Sequence, residues 1–182
     1  MNHVYRAINY IAFGFLFCVV NLNVTFTSFT INITPAWLGY ILLYFGLSEI
    51  KEYKYSWLRY FAIVLAVFDL VLWIVNLFNI ANVEYVRVVL AILHAVFAYL
   101  LMGVIIEIAK IEGSAYVAKF QLMRLISTIA YILSTALILL AMLNDKLAIA
   151  AVIAGIIVLI AYIFTCILLF RFRKELKDRE EI

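Results

Sequence analysis

The feature that most constrains this chain is its succession of long apolar stretches. A helix needs about 20 apolar residues to cross the ~30 Å hydrocarbon core of a bilayer. Four stretches reach that length, at residues 57–78, 86–108, 120–143 and 147–170. Two shorter stretches, residues 5–20 and 35–50, correspond to helices of about 24 Å each. We expect these to span as well, through snorkelling ends or local thinning of the bilayer.

The composition excludes most other kinds of protein. Hydrophobic residues make up 69% of the chain and charged residues 14%, whereas ordinary soluble domains are about 45–50% apolar and about 25% charged. A soluble domain of this size cannot bury so many apolar side chains, and disordered chains and nucleic-acid binders are more polar. We therefore predict an all-α integral membrane protein, a six-transmembrane-helix bundle in a single domain over residues 1–182, in contact with the lipid bilayer and not with nucleic acid.

The basic residues predict how this bundle is oriented. In the six-span topology, 12 of the 14 Lys and Arg residues fall on one side, and only Arg87 and Lys146 fall on the other. Positive residues concentrate in cytoplasmic loops, so both termini, including a tail at residues 171–182, are predicted to be cytoplasmic. The abundance of Ile, Asn, Lys and Tyr indicates an AT-rich bacterial gene, and the predicted location is the bacterial cytoplasmic membrane.

Residues 21–34, between the first two helices, alternate polar and apolar side chains, which is a strand pattern. The alternation changes phase once, at Thr27–Ser28, as a hairpin with a two-residue turn requires. The expected antiparallel pairs are Asn23 with Asn32, Val24 with Ile31, and Thr25 with Thr30. We therefore expect an outer β-hairpin with Phe26 and Phe29 against the helix ends, acting either as a structural plug or as a lid over an outer-facing pocket.

Two ionisable residues are predicted to lie at depth, where such groups are costly and often functional. Asp69 is near the middle of the third stretch, and His94 is seven residues into the fourth, counted from Arg87. Consecutive antiparallel helices are usually neighbours, and the two residues lie about 10–13 Å from the outer ends of their helices. We expect them within hydrogen-bond or one-water reach, either as a proton-binding site or as a structural pair.

The fifth stretch carries a polar stripe at three- and four-residue spacing, on one helix face. Its members are Arg124, Ser127, Thr128, Tyr131, Ser134 and Thr135. Such a stripe lines a path in some membrane proteins, and in others it joins packed helices, where Ser and Thr are common. The pattern favours the helix interface and leaves the path open.

Signatures of enzymes and of cofactor proteins are missing from the sequence. No second intramembrane Asp accompanies Asp69, and His3 is the only histidine besides His94, so neither an aspartyl dyad nor a histidine metal site is expected. No Gly-rich phosphate loop is present. We predict no catalytic residue, no cofactor and no metal.

Two resemblances add context. The segment PAWLGYILLYFGL, from Pro35 to Leu47, resembles a stretch of small uncharacterised polytopic membrane proteins of low-GC Gram-positive bacteria, a likeness of one helix that implies no activity. In architecture, six helices with a long first outer loop are similar to the substrate-binding subunits of energy-coupling-factor vitamin transporters. Those subunits typically carry Ala-x-x-x-Ala on the first helix, where this chain has Ala7 followed by Ile11.

Two functions remain open on the sequence. The first is a small-solute transporter, or a membrane subunit of one, with a proton link through Asp69 and His94. The second is a non-catalytic membrane scaffold, anchoring or accessory subunit, with a protein partner or a second copy of itself. A transporter requires a wet cavity that reaches the middle of the membrane, whereas a scaffold is packed solid.

Overall fold

The computed structural model describes residues 3–19, 23–25, 30–32, 35–50, 55–77, 84–141 and 144–180. Within these ranges the chain forms α1 (His3–Val19), β1 (Asn23–Thr25), β2 (Thr30–Asn32), α2 (Ala36–Glu49), α3 (Leu58–Leu77), α4 (Glu84–Ile111), α5 (Val117–Ala141) and α6 (Ala148–Glu180). A short 3₁₀ turn, Asp145–Leu147, leads into α6.

Four of the helices, α3 to α6, are long and apolar enough to cross a membrane, which makes the chain a membrane protein. The predicted bundle of six transmembrane helices is wrong. Helices α1 and α2 have 17 and 14 residues, or about 26 and 21 Å, and both are shorter than the ~30 Å hydrocarbon core. Helix α2 starts at Ala36 because Pro35 is the extended residue before it, with ψ of 136°. The cytoplasmic placement of both termini rested on the six-span alternation and stays a prediction.

The loop between α1 and α2 contains a two-stranded antiparallel ribbon. Asn23 lies opposite Asn32, Val24 opposite Ile31, and Thr25 opposite Thr30, which is the register that the polar and apolar alternation predicts. Of the hairpin predicted over residues 21–34, the structure describes these two three-residue strands and no more. The predicted turn at Thr27–Ser28 and the predicted lid residues Phe26 and Phe29 lie outside the described residues, so the lid stays a prediction.

The six helices pack as a ring in chain order. Each helix contacts the next one along the chain, and α6 closes the ring on α1. The ribbon adjoins one end of the ring, where β2 lies beside α3, and we refer to this as the ribbon end. The tail end is the opposite one, where α6 finishes.

Helices α1 and α2 approach each other more closely than side chains usually permit. A Cβ atom added to Gly46 would lie 2.9 Å from the carbonyl oxygen of Ala7, a contact that real Cβ atoms essentially never make. The facing side of α1 is apolar and fully buried at Ala7, Ile8 and Ile11. The absence of a side chain on Gly46 therefore permits the contact that holds α1 against the bundle.

The tail half of the ring is filled with apolar side chains. On α4, Leu101, Ile105 and Ile108 recur at helical spacing and are fully buried. The rings of Phe120 and Phe172 meet edge to face, with centroids 5.7 Å apart, and join α5 to α6. This half of the bundle is a dry core.

The outer faces of α3 to α6 expose large apolar side chains. Examples are Val67, Leu125, Ile132 and Ile156, each about half exposed or more. Soluble monomers rarely expose apolar patches of such extent, whereas hydrocarbon is a suitable neighbour for them. The exposed faces are therefore consistent with direct contact with the lipid bilayer.

At the tail end, the loop between α4 and α5 is fastened to the last turns of α6. Ser114 is buried, and its hydroxyl donates to Glu175 Oε2 at 2.7 Å. Arg179 donates to the carbonyl oxygen of Glu112 and to the Glu175 carboxylate. Gly113 adopts φ of +60°, which suits glycine because it has no Cβ. The predicted tail is thus helical through Glu180 and tied to the bundle.

Candidate functional site

The ring contains a partly open cavity of about 190 Å³ in its ribbon half. A water molecule occupies about 30 Å³ in the liquid, so the cavity has room for about six. Its polar and aromatic lining residues come from five helices and are Phe15, Cys18, Tyr40, His94, Tyr131 and Tyr162. On the tail side its boundary is apolar, formed by Leu43, Phe97 and Leu101. The cavity therefore combines a mixed aromatic wall with a dry floor.

His94 connects this cavity to Asp69. The two atoms His94 Nε2 and Asp69 Oδ2 lie 3.3 Å apart, and the side chains are 26% and 13% exposed. Neither atom has a hydrogen-bond partner among the described residues, so the two groups are close enough for an ion pair but are not aligned for a hydrogen bond. The structure brings these two predicted residues together, whereas their role stays a prediction.

Tyr40 of α2 fixes the position of the imidazole ring from across the bundle. Its ring centroid is 5.2 Å from that of His94, with the planes tilted by 30°, and 5.4 Å from that of Phe97. Phe97 in turn meets Phe61 of α3 edge to face at 5.6 Å. Aromatic packing of this kind restricts rotation of the His94 ring and holds it at the cavity wall.

The polar stripe of α5 is divided by the structure. Tyr131 lines the cavity, and its hydroxyl donates to the carbonyl oxygen of Ala91 at 2.8 Å, joining α5 to α4. Ser134 is buried. Ser127 and Thr128 donate to the carbonyl oxygen of Arg124 on their own helix, at 3.3 and 2.7 Å.

The remaining stripe residues lie away from the cavity. Ser127, Thr128 and Thr135 line a second recess on the outside of the ring, between α4 and α5. Arg124 packs its guanidinium on Tyr99 of α4, with Cζ 3.7 Å from the ring centroid. Tyr131 lines this recess as well and also adjoins His94 in the described wall of the central cavity. The stripe as a path stays a prediction.

Sequence reasoning missed three polar residues of the cavity wall, namely Cys18, Tyr40 and Tyr162. In a chain with 12 tyrosines a single one does not stand out. A signal did exist for Tyr40, which lies on the same face of α2 as the buried Leu43 and Leu47. A tyrosine on a buried helix face brings its hydroxyl inside the bundle.

The chemistry available in the cavity is proton binding and hydrogen bonding. Within the described ranges, no three His, Cys, Asp or Glu side chains come together as a metal site requires. The imidazole of His94 is in the cavity wall with the carboxylate of Asp69 beside it, and both are groups that exchange protons. Tyrosine hydroxyls and the Cys18 thiol supply further weak polar contacts.

Comparison with known proteins gives no relative for this chain. No protein-family model, no curated protein and no solved structure matches it. The resemblance of residues 35–47 to small membrane proteins of Gram-positive bacteria therefore stays a prediction.

Proposed function

We propose that the protein binds a small solute in its central cavity and moves it across the bacterial cytoplasmic membrane, alone or as the membrane subunit of a transporter. The observation that carries this proposal is the cavity of about 190 Å³ with His94 in its wall and Asp69 at 3.3 Å behind it. A scaffold has no need of a polar space at this depth, where unsatisfied polar groups are costly.

The size of the cavity limits the solute. An apolar cavity of about 150 Å³ engineered in another protein accommodates benzene, so 190 Å³ suits a compound of one or two small rings, or an aliphatic one of similar size. The rings of Phe15, Tyr40 and Tyr162 offer flat apolar contacts, and the hydroxyls of the two tyrosines offer polar ones. Larger substrates require the helices to separate.

The Asp69–His94 pair supplies the proton link in this proposal. In this proposal a proton is held by the Asp69–His94 pair, whose nearest side-chain atoms are 3.3 Å apart. A solute in contact with His94 changes the environment of that proton. Solute binding and proton binding are then coupled by the same contact.

The first experiment asks whether water reaches the cavity, and the chain contains its own control. Both cysteines are free, and Cys18 lines the cavity whereas Cys166 is buried on α6. The variants Cys166→Ala and Cys18→Ala each retain one thiol. In liposomes treated with a small charged methanethiosulfonate, we expect Cys18 to be modified at least about tenfold faster than Cys166.

Equal, slow modification of the two thiols would show a dry interior and would favour the alternative of a non-catalytic scaffold or accessory subunit. A wet cavity leads to the second experiment. Proteoliposomes with an internal pH-sensitive dye are given a panel of small solutes, and solute uptake and proton movement are measured together.

In that assay Asp69→Asn should abolish solute-linked proton movement. Asp178→Asn is the matched control, because it is the same substitution at an exposed position on α6. Proton movement that survives in Asp69→Asn, with solute uptake intact, would remove the proton link from the proposal while leaving the cavity as a solute site.

A further inference from the structure

A second recess lies outside the ring, on the surface that faces the lipid. It is a groove of about 510 Å³ between α4 and α5, within the usual 300–1,000 Å³ range of ligand clefts. Its apolar lining includes Ile92, Val96, Ile132 and Leu139. Along α5 it extends from Ser127 to Leu139, which is about 18 Å of helix. One leaflet of a ~30 Å core is about 15 Å deep, so the groove has the length of an acyl chain.

A cation lies next to the tail side of this groove, just beyond its lining residues. Arg124 is one turn before Ser127 and Thr128, and its guanidinium covers the ring of Tyr99, which also lines the groove. Arg124 is about 10 Å along α5 from its first residue. Since α5 has 25 residues and is about 37 Å long, Arg124 lies within about one and a half turns of the expected hydrocarbon boundary.

The positive charge of Arg124 has no anionic partner in the described part of the chain. The ion pairs there involve Glu49, Asp69 and Glu175, and none of them includes Arg124. Its Nε is buried and makes no hydrogen bond to the described residues. Ser127 and Thr128 donate to their own helix, so Arg124 is the positive charge nearest to this side of the groove among the described residues.

From this juxtaposition we infer that the groove binds one anionic phospholipid, with an acyl chain along α4 and α5 and its phosphate on Arg124. Tyr99 covers one face of the guanidinium, which leaves the edge, where the N–H donors are, for two parallel hydrogen bonds to phosphate oxygens. The apolar length of the groove selects a lipid over a free anion. The positive charge selects an anionic lipid over a zwitterionic one.

The groove shares Ala98, Tyr131 and Tyr162 with the central cavity, but lipid binding there requires no solute and no transport. The test therefore measures how many lipid molecules stay bound to the protein. Purified protein in detergent is mixed with phosphatidylglycerol or with phosphatidylcholine of identical acyl chains, and bound lipids are counted by native mass spectrometry. We expect one tightly held phosphatidylglycerol, retained at least about tenfold better than phosphatidylcholine, because phosphatidylcholine has the same phosphate but its choline ammonium would lie close to the Arg124 charge.

The control for charge is a second arginine stacked on a tyrosine. Arg59 lies on Tyr60, with Cζ 4.7 Å from the ring centroid and a hydrogen bond of 2.8 Å to the hydroxyl, and neither residue lines the groove. Arg124→Gln should lose the preference for phosphatidylglycerol, whereas Arg59→Gln should keep it. Arg124→Lys, which retains the charge but loses the fork geometry, should keep part of it.

A separate variant tests whether the acyl chain of the lipid lies in the apolar groove. Ala136 lines the groove, and Ala136→Phe fills it without changing any charge, so it should also lower phosphatidylglycerol retention. Circular dichroism and thermal unfolding establish that each variant is folded. Millimolar inorganic phosphate should not compete, because it has no acyl chain.

Three outcomes would overturn the inference. They are equal retention of the two lipids by the wild-type protein, equal losses in Arg124→Gln and Arg59→Gln, and displacement of the lipid by free phosphate. A fourth outcome would also overturn it. If Ala136→Phe converts a dimer to a monomer and leaves phosphatidylglycerol retention unchanged, the groove is an interface between copies of this chain.

Discussion

Gly14 of α1 and Gly39 of α2 pack backbone to backbone. A Cβ atom on Gly14 would lie 2.8 Å from the carbonyl oxygen of Gly39, and one on Gly39 would lie 2.7 Å from the carbonyl oxygen of Gly14. Neither backbone can yield without moving its helix. Since α1 and α2 together supply Phe15, Cys18 and Tyr40 to the cavity wall, this contact sets the shape of the cavity.

Gly39→Ala should therefore destabilise the protein by about 1–3 kcal/mol, the usual cost of overpacking. Denaturant titration of the protein in micelles measures the change. Gly155→Ala is the matched control, because a Cβ on Gly155 meets nothing within 4 Å and alanine favours the helix more than glycine does. An equal loss in both variants would mean that α1 and α2 are not this close.

Asp69 and His94 should be coupled energetically. Because Nε2 and Oδ2 are 3.3 Å apart, the stability effects of Asp69→Asn and His94→Gln should not add, with an interaction free energy of about 0.5–3 kcal/mol. The free energies of unfolding of the wild type, the two single variants and the double variant measure it. The pair His94→Gln and Asp178→Asn, which are far apart in sequence and do not share a partner, should add within about 0.5 kcal/mol.

Ser114→Ala should loosen the tail end of α6. The hydroxyl that it removes donates to the Glu175 carboxylate and accepts from the N–H of Tyr116, and a hydrogen bond to a charged group contributes about 1.5–3 kcal/mol. Hydrogen exchange should rise over the last two turns of α6. Ser127→Ala removes a hydroxyl bonded to its own helix and should leave that exchange unchanged.

Tyr131→Phe should weaken the contact between α5 and α4. Its hydroxyl donates to the carbonyl oxygen of Ala91 at 2.8 Å, and a hydrogen bond between membrane helices contributes about 0.6 kcal/mol on average. Tyr162→Phe removes a hydroxyl from the same cavity with no such bond in the described part of the chain. A loss of stability limited to Tyr131→Phe, measured by thermal unfolding, is the expected result.

The proximity of Asp69 and His94 could be predicted from sequence because it depends on two simple quantities. The first is depth, which follows from the helical rise of 1.5 Å per residue, and the second is the adjacency of consecutive helices. The register of Asn23 with Asn32 followed in the same way from a single phase change in the alternation. Such regularities belong to the local chain.

Other features depend on packing between distant segments, and no pattern in the local sequence indicates them. Apolar composition predicted six spans, but it does not report helix length, and α2 ends at Glu49 after 14 residues. The position of Arg124 on Tyr99 depends on how α4 and α5 rotate against each other. The inclusion of Tyr40 and Tyr162 in one cavity requires the closure of α6 on α1, which no local pattern specifies.

Helix α6 is longer than a membrane span requires. With 33 residues, or about 50 Å, it exceeds the ~30 Å core by about 20 Å, and Arg179 fastens the projecting part to the carbonyl oxygen of Glu112 at the end of α4. Ser114 adds a second contact, because its hydroxyl donates to Glu175 in the same turns of α6. The helix that carries His94 is thus joined at its tail-side end to the last turns of α6.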